Sequence, residues 1–243
     1  AAMGDFESVL PNQYVEVGIA EQDAVGIAAG LSNFGNTVFV CGPACFYSAR
    51  SLEQVKVDVA YAKSDVKIVG ISGGVSYGAL GSTHHSLHDL AVMRALPGIE
   101  VFLPCDNAST AAVTKYLVSS GKPAYMRLGR EPVADVYTAE RVVRFVPGRA
   151  TLLRNGRDCT LITAGETVQP TLAAAEILHS KGIEARVLDC CSIKPFDVEA
   201  VTAAAEETGC IVTIEEHSIF GGLGAAVAEV VVQHKPVPMK IIG

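Results

Sequence analysis

The stretch Val66-Lys67-Ile68-Val69-Gly70-Ile71 decides the fold class, because it is a short, mainly apolar run rich in β-branched residues. A run of this length and composition predicts a β-strand. Its apolar residues are largely consecutive rather than alternating, so both faces of the strand are expected to be buried. Strands buried on both faces are typical of a parallel sheet that is covered by helices.

Similar runs recur on both sides of this strand. Further strands are predicted at 37–41, 99–103 and 123–127, and helices at 21–32, 46–62, 86–96 and 107–119. Asp106 stands just before the last of these helices, where its side-chain oxygen can accept from the free N–H groups of the first turn. The pattern breaks after Arg130, and 131–149 holds two prolines and mixed charges without a clear period. It therefore predicts a linker and a lead-in strand.

A second alternation of strands and helices follows the linker. It comprises strand 159–163, helix 167–181, strand 184–188, helix 197–208, strand 210–215, helix 222–234 and strand 237–242. The sequence thus predicts an α/β protein with two consecutive domains, each a mainly parallel sheet covered by helices. The predicted limits are 1–130 for the first domain, 131–144 for the linker and 145–243 for the second domain. The first domain has no strand before its first helix and the chain stops on a strand, so we expect both ends to be incomplete.

The composition narrows the class of protein. The net charge of −7 disfavours a general nucleic-acid or anionic-membrane surface. No apolar run approaches the roughly 20 residues that a membrane span needs, and the first residues lack the pattern of a signal peptide. The seven cysteines are odd in number and lack framework spacing, which favours buried thiols in a reducing compartment. We predict a cytoplasmic protein that forms no metal site by itself.

The first chemical motif is Val17-Gly-Ile-Ala-Glu21-Gln-Asp-Ala, which opens the first long helix. Glu21 has apolar neighbours among small residues, unlike the nearby acids Glu16 and Asp23. Two interpretations are open for it. It is either an ordinary first-turn glutamate that faces the helix dipole, or a buried acid that shares a proton with a ligand nitrogen.

The second motif is the glycine-rich segment 78–90, which contains His84, His85 and His88. It follows strand 66–71, and loops at the carboxyl ends of parallel strands are where α/β proteins bind ligands. His84 and His85 are adjacent and do not face one centre comfortably, which disfavours a metal site. The pattern favours one neutral histidine that transfers a proton or bonds a substrate oxygen.

Two glycine- or arginine-containing segments complete the motifs. Arg127 and Arg130 straddle the exit of strand 123–127, and two such arginines alone are typical of a solvated edge. At the sheet edge that carries the histidine loop, Arg130 is also a candidate phosphate ligand. The glycines of 221–224 do not have the G-x-G-x-x-G spacing of a dinucleotide site, so they indicate tight packing of a helix start.

Taken in chain order, these segments resemble the transketolase and 1-deoxyxylulose-5-phosphate synthase family. The resemblance rests on GIAEQ-x-AVGIAAGL (18–31), Phe46 ahead of R-x-x-E-Q (50–54), STHHS (82–86), MRALPGIEVFLPCD (93–106), YMRLGRE (125–131) and EEHSIFGGLG (215–224). It extends over nearly the whole chain. It implies a pyrimidine-binding domain for thiamine diphosphate, followed by the C-terminal domain of the family.

The resemblance also implies a role for five residues. Glu21 matches the catalytic acid that bonds N1′ of the aminopyrimidine, and Phe46 matches the aromatic that packs against that ring. His84 matches the catalytic histidine that lines the substrate channel near the reacting carbonyl. Arg50 falls where a synthase-type arginine approaches the substrate, and Arg130 matches the arginine that binds the substrate phosphate.

The chain also departs from the family pattern. Leu80-Gly81 stands where the family usually has an acid that bonds sugar hydroxyls, and His85 replaces a glutamine. No segment resembles the GDG-to-Asn motif that holds Mg²⁺ and the diphosphate. The resemblance therefore implies a partner, an N-terminal subunit with a GDG-type site that holds Mg²⁺ or Ca²⁺, in an α2β2 heterotetramer.

The leading functional hypothesis is the C-terminal subunit of a split transketolase in carbohydrate metabolism. Such an enzyme moves a two-carbon ketol unit from a ketose phosphate to an aldose phosphate. Three alternatives remain, namely a section of 1-deoxyxylulose-5-phosphate synthase, the β subunit of a 2-oxoacid dehydrogenase, and a non-catalytic homologue. The substitution Glu21→Ala separates the last of these from the enzymes.

Overall fold

The computed structural model describes residues 4–243 and folds them around two five-stranded sheets. The strands are β1 Val38–Pro43, β2 Val66–Ile71, β3 Glu100–Phe102, β4 Ala124–Leu128, β5 Thr151–Arg154, β6 Cys159–Thr163, β7 Ala185–Asp189, β8 Ser192–Lys194, β9 Ile211–Ile214 and β10 Met239–Ile242. The prediction of an α/β protein with two consecutive, mainly parallel sheets is confirmed.

Helices cover both sheets. They are α1 Gly4–Val9, α2 Glu21–Ser32, α3 Ala44–Ala49, α4 Leu52–Gln54, which continues as a π-helix over Val55–Tyr61, α5 Asp89–Ala95, α6 Asn107–Ser120, α7 Val168–Ser180, α8 Val198–Thr208 and α9 Leu223–His234. Within residues 4–243, none of them is both long and apolar enough to cross a membrane.

The first sheet has the strand order β1-β2-β4-β3-β8. Its first four strands are parallel, and β2 lies inside the sheet with Val66 and Ile68 wholly buried. Lys67 interrupts the apolar run and is also buried, which would be costly for an unpaired charge. Its ammonium group donates to Asp65, to Ser120 Oγ at 3.1 Å and to the carbonyl of Lys122, so the charge is satisfied at the end of the strand.

The strand β8 was not predicted, and it comes from the second half of the chain. It pairs antiparallel with β3, with Val101 opposite Lys194. The Lys194 ammonium group donates to the carbonyl of Arg94 at 3.0 Å, and the Leu103 amide donates to the carbonyl of Cys191 at 2.7 Å. The edge of the first sheet is therefore completed by the second domain.

The second sheet has the order β10-β9-β6-β7-β5, in which only the edge strand β5 runs antiparallel. The predicted lead-in strand is this β5. Between β4 and β5, residues 129–150 form neither helix nor strand. Their backbone is held to the first domain by Asp106, whose Oδ2 accepts from the amides of Val136 at 2.9 Å and Tyr137 at 2.8 Å.

Two helix predictions need correction and one detail is confirmed. The predicted helix 46–62 is divided, because α3 ends before Arg50 and a short α-helix and a π-helix follow. The predicted helix 86–96 begins only at Asp89, because the preceding residues form the base of a loop. The predicted cap is present, since Asp106 Oδ1 accepts from the Ser109 amide at 2.8 Å.

Candidate active site

Glu21 is the first residue of α2, and its side chain is only 8 % exposed, whereas Glu16 and Asp23 are exposed. Its Oε2 accepts a hydrogen bond from Arg50 Nη1 at 2.7 Å. Within residues 4–243, no hydrogen bond reaches Glu21 Oε1. The carboxylate therefore combines burial, a single cationic partner and one free acceptor oxygen.

Arg50 connects Glu21 to Phe46. It follows α3 directly, and its amide donates to the carbonyl of Phe46 at 2.8 Å, which keeps the two side chains on neighbouring turns. The guanidinium carbon lies 4.2 Å from the centroid of the Phe46 ring, a cation–π distance. The Arg50 side chain is 45 % exposed. It therefore covers both the carboxylate and the aromatic face from the solvent side.

The aromatic line continues into the glycine-rich loop. The His84 ring lies edge-on to Phe46 with centroids 5.2 Å apart, and edge-on to Tyr77 at 5.4 Å. Arg130 then lies over Tyr77, with its guanidinium carbon 5.1 Å from the ring centroid. The structure thus brings the five predicted residues into one continuous line with Tyr77, although they come from two helices, one loop and the exit of β4.

The loop geometry sets the position of His84. Gly81 at the turn before it has φ of +72°, a value that favours glycine, and its carbonyl accepts from the His84 amide at 3.0 Å. The ring nitrogen Nδ1 of His84 lies 3.0 Å from Thr83 Oγ1. This contact leaves Nε2 of the half-buried ring for a ligand, which is the arrangement a histidine needs to bond a substrate oxygen.

The other two histidines of the loop face different partners. His85 Nε2 lies 3.3 Å from the carbonyl of Gly78, and His88 Nε2 lies 3.3 Å from Ser48 Oγ. In the part of the chain that the structure describes, no three His, Cys, Asp or Glu side chains are grouped to hold a metal ion.

Arg127 corrects the interpretation of the arginine pair as a solvated edge. Arg130 is exposed, but Arg127 lies in the inner strand β4 and is buried. It lies 3.4 Å from Asp89 and 3.6 Å from Glu166, and its Nη2 donates to the carbonyl of Glu216 at 2.7 Å. Burial opposes its charge, yet these carboxylates raise the pKa of Arg127 above its usual value.

The residues at the start of the line fit one end of thiamine diphosphate. Glu21 offers a buried acceptor oxygen and Phe46 a partly exposed aromatic face, which suit the ring nitrogen and the flat face of an aminopyrimidine. Arg50 contacts both groups, so a pyrimidine that used both would have to displace its guanidinium. The diphosphate end would need further ligands, since residues 4–243 group no metal-binding side chains.

Comparison with known families decides the identity of the chain. The family model described as transketolase, pyrimidine binding domain, matches residues 2–134, and the model described as transketolase, C-terminal domain, matches residues 148–243. The chain belongs to the transketolase family. The predicted resemblance is confirmed for both domains of this transketolase chain.

The relatives are mainly subunits of split enzymes. One of the two subunits of the apulose-4-phosphate transketolase of Phocaeicola vulgatus is 60 % identical, over 99 % of this chain and 77 % of the relative. The 6-deoxy-6-sulfo-D-fructose transketolase subunit SqwH of Clostridium sp. is 39 % identical, over 98 % and 73 %. A solved structure of a split gene transketolase, an inactive beta4 tetramer, has a TM-score of 0.92 and 39 % identity, covering 100 % of this chain and 79 % of that one.

The synthase alternative has weaker support. The 1-deoxy-D-xylulose-5-phosphate synthase of Gloeothece citriformis is 37 % identical over 98 % of this chain, but the match spans only 38 % of that enzyme. The predicted C-terminal transketolase subunit is confirmed by its similarity to subunits of comparable length. Sequence reasoning missed Tyr77 and Glu216, because neither lies in a motif that a single sequence distinguishes.

Proposed function

We propose that the line from Glu21 to Arg130 is this subunit's half of a transketolase active site, which moves a two-carbon ketol unit between sugar phosphates. The observation that carries the proposal is the continuity of that line. Five residues implied by family resemblance, 109 positions apart at the extremes (130 − 21), contact one another in sequence through Tyr77. A structural role alone gives no reason for such a line to be half exposed.

At one end of the line, Glu21 and Phe46 would hold the aminopyrimidine of thiamine diphosphate. Glu21 Oε1 accepts a hydrogen bond from the ring nitrogen and holds a proton there, while the Phe46 ring packs against the flat face. When bound, the cofactor supplies the carbon nucleophile that attacks the ketose carbonyl. The low exposure of Glu21 excludes water and strengthens its hydrogen bond.

At the other end, the loop and the arginines would bind the sugar phosphate. His84 bonds an oxygen near the reacting carbonyl, since its Nδ1 contacts Thr83 and its Nε2 remains for a ligand. Arg130 is exposed, and its planar guanidinium suits a terminal phosphate. Arg50 leaves the Glu21 carboxylate when the cofactor binds and then approaches the substrate.

The other half of the site would come from an N-terminal partner subunit with a GDG-type motif. That subunit would hold the diphosphate through Mg²⁺ or Ca²⁺, and the assembly would be an α2β2 heterotetramer. Two findings support the partner. The relatives are each named as one subunit of a transketolase, and the solved relative is described as an inactive tetramer of β chains alone.

The name of the relative that shares 60 % identity suggests the donor to test. We propose apulose 4-phosphate as the ketose phosphate, with an aldose phosphate as acceptor. Leu80 at the loop tip is compatible with an unusual sugar, because it offers no oxygen to a sugar hydroxyl where the family usually has an acid.

The test is ketol transfer by the chain reconstituted with its N-terminal partner. We expect transfer from apulose 4-phosphate in the complex and none with either subunit alone. Glu21→Gln should lower kcat by about 10²–10⁴-fold, the usual contribution of acid–base catalysis. Asp23→Asn, an exposed acid in the same turn of α2, is the matched control and should leave kcat unchanged. Activity of the isolated chain, or full activity of Glu21→Gln, would contradict the proposal.

We also propose the domain limits 1–130, 131–144 and 145–243, and a cytoplasmic location. The end of β4 at Leu128 and the start of β5 at Thr151 support the limits. The seven cysteines are all free, which supports a reducing compartment.

A further inference from the structure

The loop that carries Tyr77 and His84 is closed at its base. Gly74 and Ser86 exchange two backbone hydrogen bonds, from the Gly74 amide to the Ser86 carbonyl at 3.0 Å and back at 2.8 Å. We call residues 73–87 the active-site loop. Its two stems are thereby locked to each other, so the direction of the whole loop depends on what holds the stems.

Both stems are held by a short segment of the second domain. Glu216 Oε1 accepts from the Val75 amide at 2.9 Å, and the Ser218 amide donates to the Leu87 carbonyl at 3.1 Å. Glu216 is 141 positions from Val75 in the chain and follows β9 of the second sheet. One segment of the C-terminal domain therefore contacts the outgoing and the returning stem of the active-site loop.

Glu216 is fixed from behind and has no room to move toward the loop. Its carbonyl accepts from Arg127 Nη2 at 2.7 Å, which ties its backbone to the inner strand β4. A Cβ atom on Gly74, whose φ is +61°, would overlap the Glu216 carboxylate. A Cβ atom on Gly73 would overlap the Arg127 guanidinium. The stem thus packs directly on these two side chains.

We propose that Glu216 is a positioning residue of the active site, which acts from the C-terminal domain through the active-site loop on Tyr77 and His84. The role of His84 in substrate binding rests on the proposed function, whereas the hold on the loop rests on the contacts alone. The inference gives the C-terminal domain a part in sugar-phosphate recognition, although none of its side chains lies on the line from Glu21 to Arg130.

A second glutamate separates this role from simple attachment of the two domains. Glu229 of α9 pairs with Arg94 of α5 at 2.9 Å, so it also links the domains, but it does not contact the active-site loop. Glu229→Ala is therefore the matched control. If domain attachment alone mattered, Glu216→Ala and Glu229→Ala would act alike.

Hydrogen exchange of the chain tests the hold on the loop directly. In Glu216→Ala, peptides that cover 73–87 should exchange about tenfold faster than in the wild type, because a hydrogen bond to a charged acceptor is lost. Peptides of β2 and β4 should be unchanged, as should all of these peptides in Glu229→Ala. If Glu216→Ala does not fold, Glu216→Gln carries the test, with an expected increase of about threefold because its acceptor is neutral. Wild-type exchange of 73–87 in the folded variants would overturn the proposal.

Kinetics of the reconstituted complex test the consequence for the substrate. Glu216→Ala should raise KM for the sugar phosphates by about tenfold, with recovery in Glu216→Gln. The half-saturating concentration of thiamine diphosphate should stay within about twofold, since Glu21 and Phe46 lie outside the loop. A rise for the cofactor as large as for the sugars, or no rise for the sugars, would overturn the positioning role. Absence of ketol transfer in the wild-type complex would instead refute the proposed function, and the exchange result would still decide whether Glu216 holds the loop.

Discussion

Arg50 donates a hydrogen bond to Glu21 at 2.7 Å while its guanidinium lies 4.2 Å from the Phe46 ring centroid. One cation thus contacts both groups that would receive the pyrimidine. Cofactor binding must replace an ion pair and a cation–π contact, each of which contributes about 0.5–1 kcal/mol at a partly exposed site.

We expect Arg50→Met to lower the half-saturating concentration of thiamine diphosphate by about threefold to tenfold, because the competing cation is gone. The same change should raise KM for the sugar phosphate. Titration of the reconstituted complex with the cofactor, followed by the rate of ketol transfer, measures the first effect. Arg149→Met removes an arginine of similar exposure from the C-terminal domain and should change neither value. Weaker cofactor binding in Arg50→Met would show that Arg50 assists the cofactor rather than competes with it.

Arg130 gives a prediction about phosphate recognition. Its guanidinium lies 5.1 Å from the Tyr77 ring centroid, which orients the planar group without neutralising it. Arg130→Ala should raise KM for a ketose phosphate by about 10–100-fold, because a charge-assisted hydrogen bond is lost. KM for the same ketose without phosphate should not change. Equal effects on the two substrates would place the phosphate elsewhere.

The glycine at the base of the active-site loop gives a prediction about stability. Gly74→Ala forces both a left-handed φ and an overlap with Glu216, whereas Gly182→Ala forces only the former, since nothing lies within 4 Å of its Cβ position. Gly182→Ala should lower the free energy of unfolding by about 1–2 kcal/mol. Gly74→Ala should lower it by at least about 1 kcal/mol more, the range for overpacking. Urea denaturation measures both, and equal losses would contradict the tight packing of this stem.

Asp189 makes the stability depend on pH. Burial raises its pKa to about 7, and its Oδ2 accepts from the Tyr137 hydroxyl at 2.7 Å. An unfolded aspartate titrates near pH 3.9. Between about pH 4 and 7 the folded chain therefore keeps a proton that the unfolded chain has released, and stability falls as pH rises through this window.

The matching variant is Asp189→Asn, which stays neutral. Its free energy of unfolding relative to the wild type should rise between about pH 4 and 7, by up to about 4 kcal/mol for a shift of three units. Asp135→Asn alters an exposed carboxyl group and should show no such trend. Urea denaturation at four pH values gives the slope, and a constant difference between Asp189→Asn and the wild type would refute the assignment.

The sequence predicted the parts of the fold that depend on local pattern. The run at 66–71 marked β2 because its apolar residues are contiguous, and Asp106 marked the start of α6 because capping is local. The strand β8 was missed because three residues carry too little pattern, and its partner Val101 lies far away in the chain. Arg127 could be recognised as buried only once β4 was known to be an inner strand.

The site was predicted in the same uneven way. Resemblance supplied Glu21, Phe46, Arg50, His84 and Arg130, but residues alone left Glu21 open between a surface acid and a buried one. Tyr77 completes the line only through ring contacts in three dimensions. Glu216 acts on an amide 141 positions away, a relation that no local pattern encodes.

Proton exchange at C2 of thiamine diphosphate is the sharpest test of Glu21 as half of a shared site, because it reports how Glu21 acts on the cofactor without needing a substrate. In the complex with the N-terminal subunit we predict fast exchange for the wild type and at least about 100-fold slower exchange for Glu21→Gln. The chain without its partner should not accelerate exchange. Wild-type exchange in Glu21→Gln, or acceleration by the isolated chain, would contradict this role of Glu21.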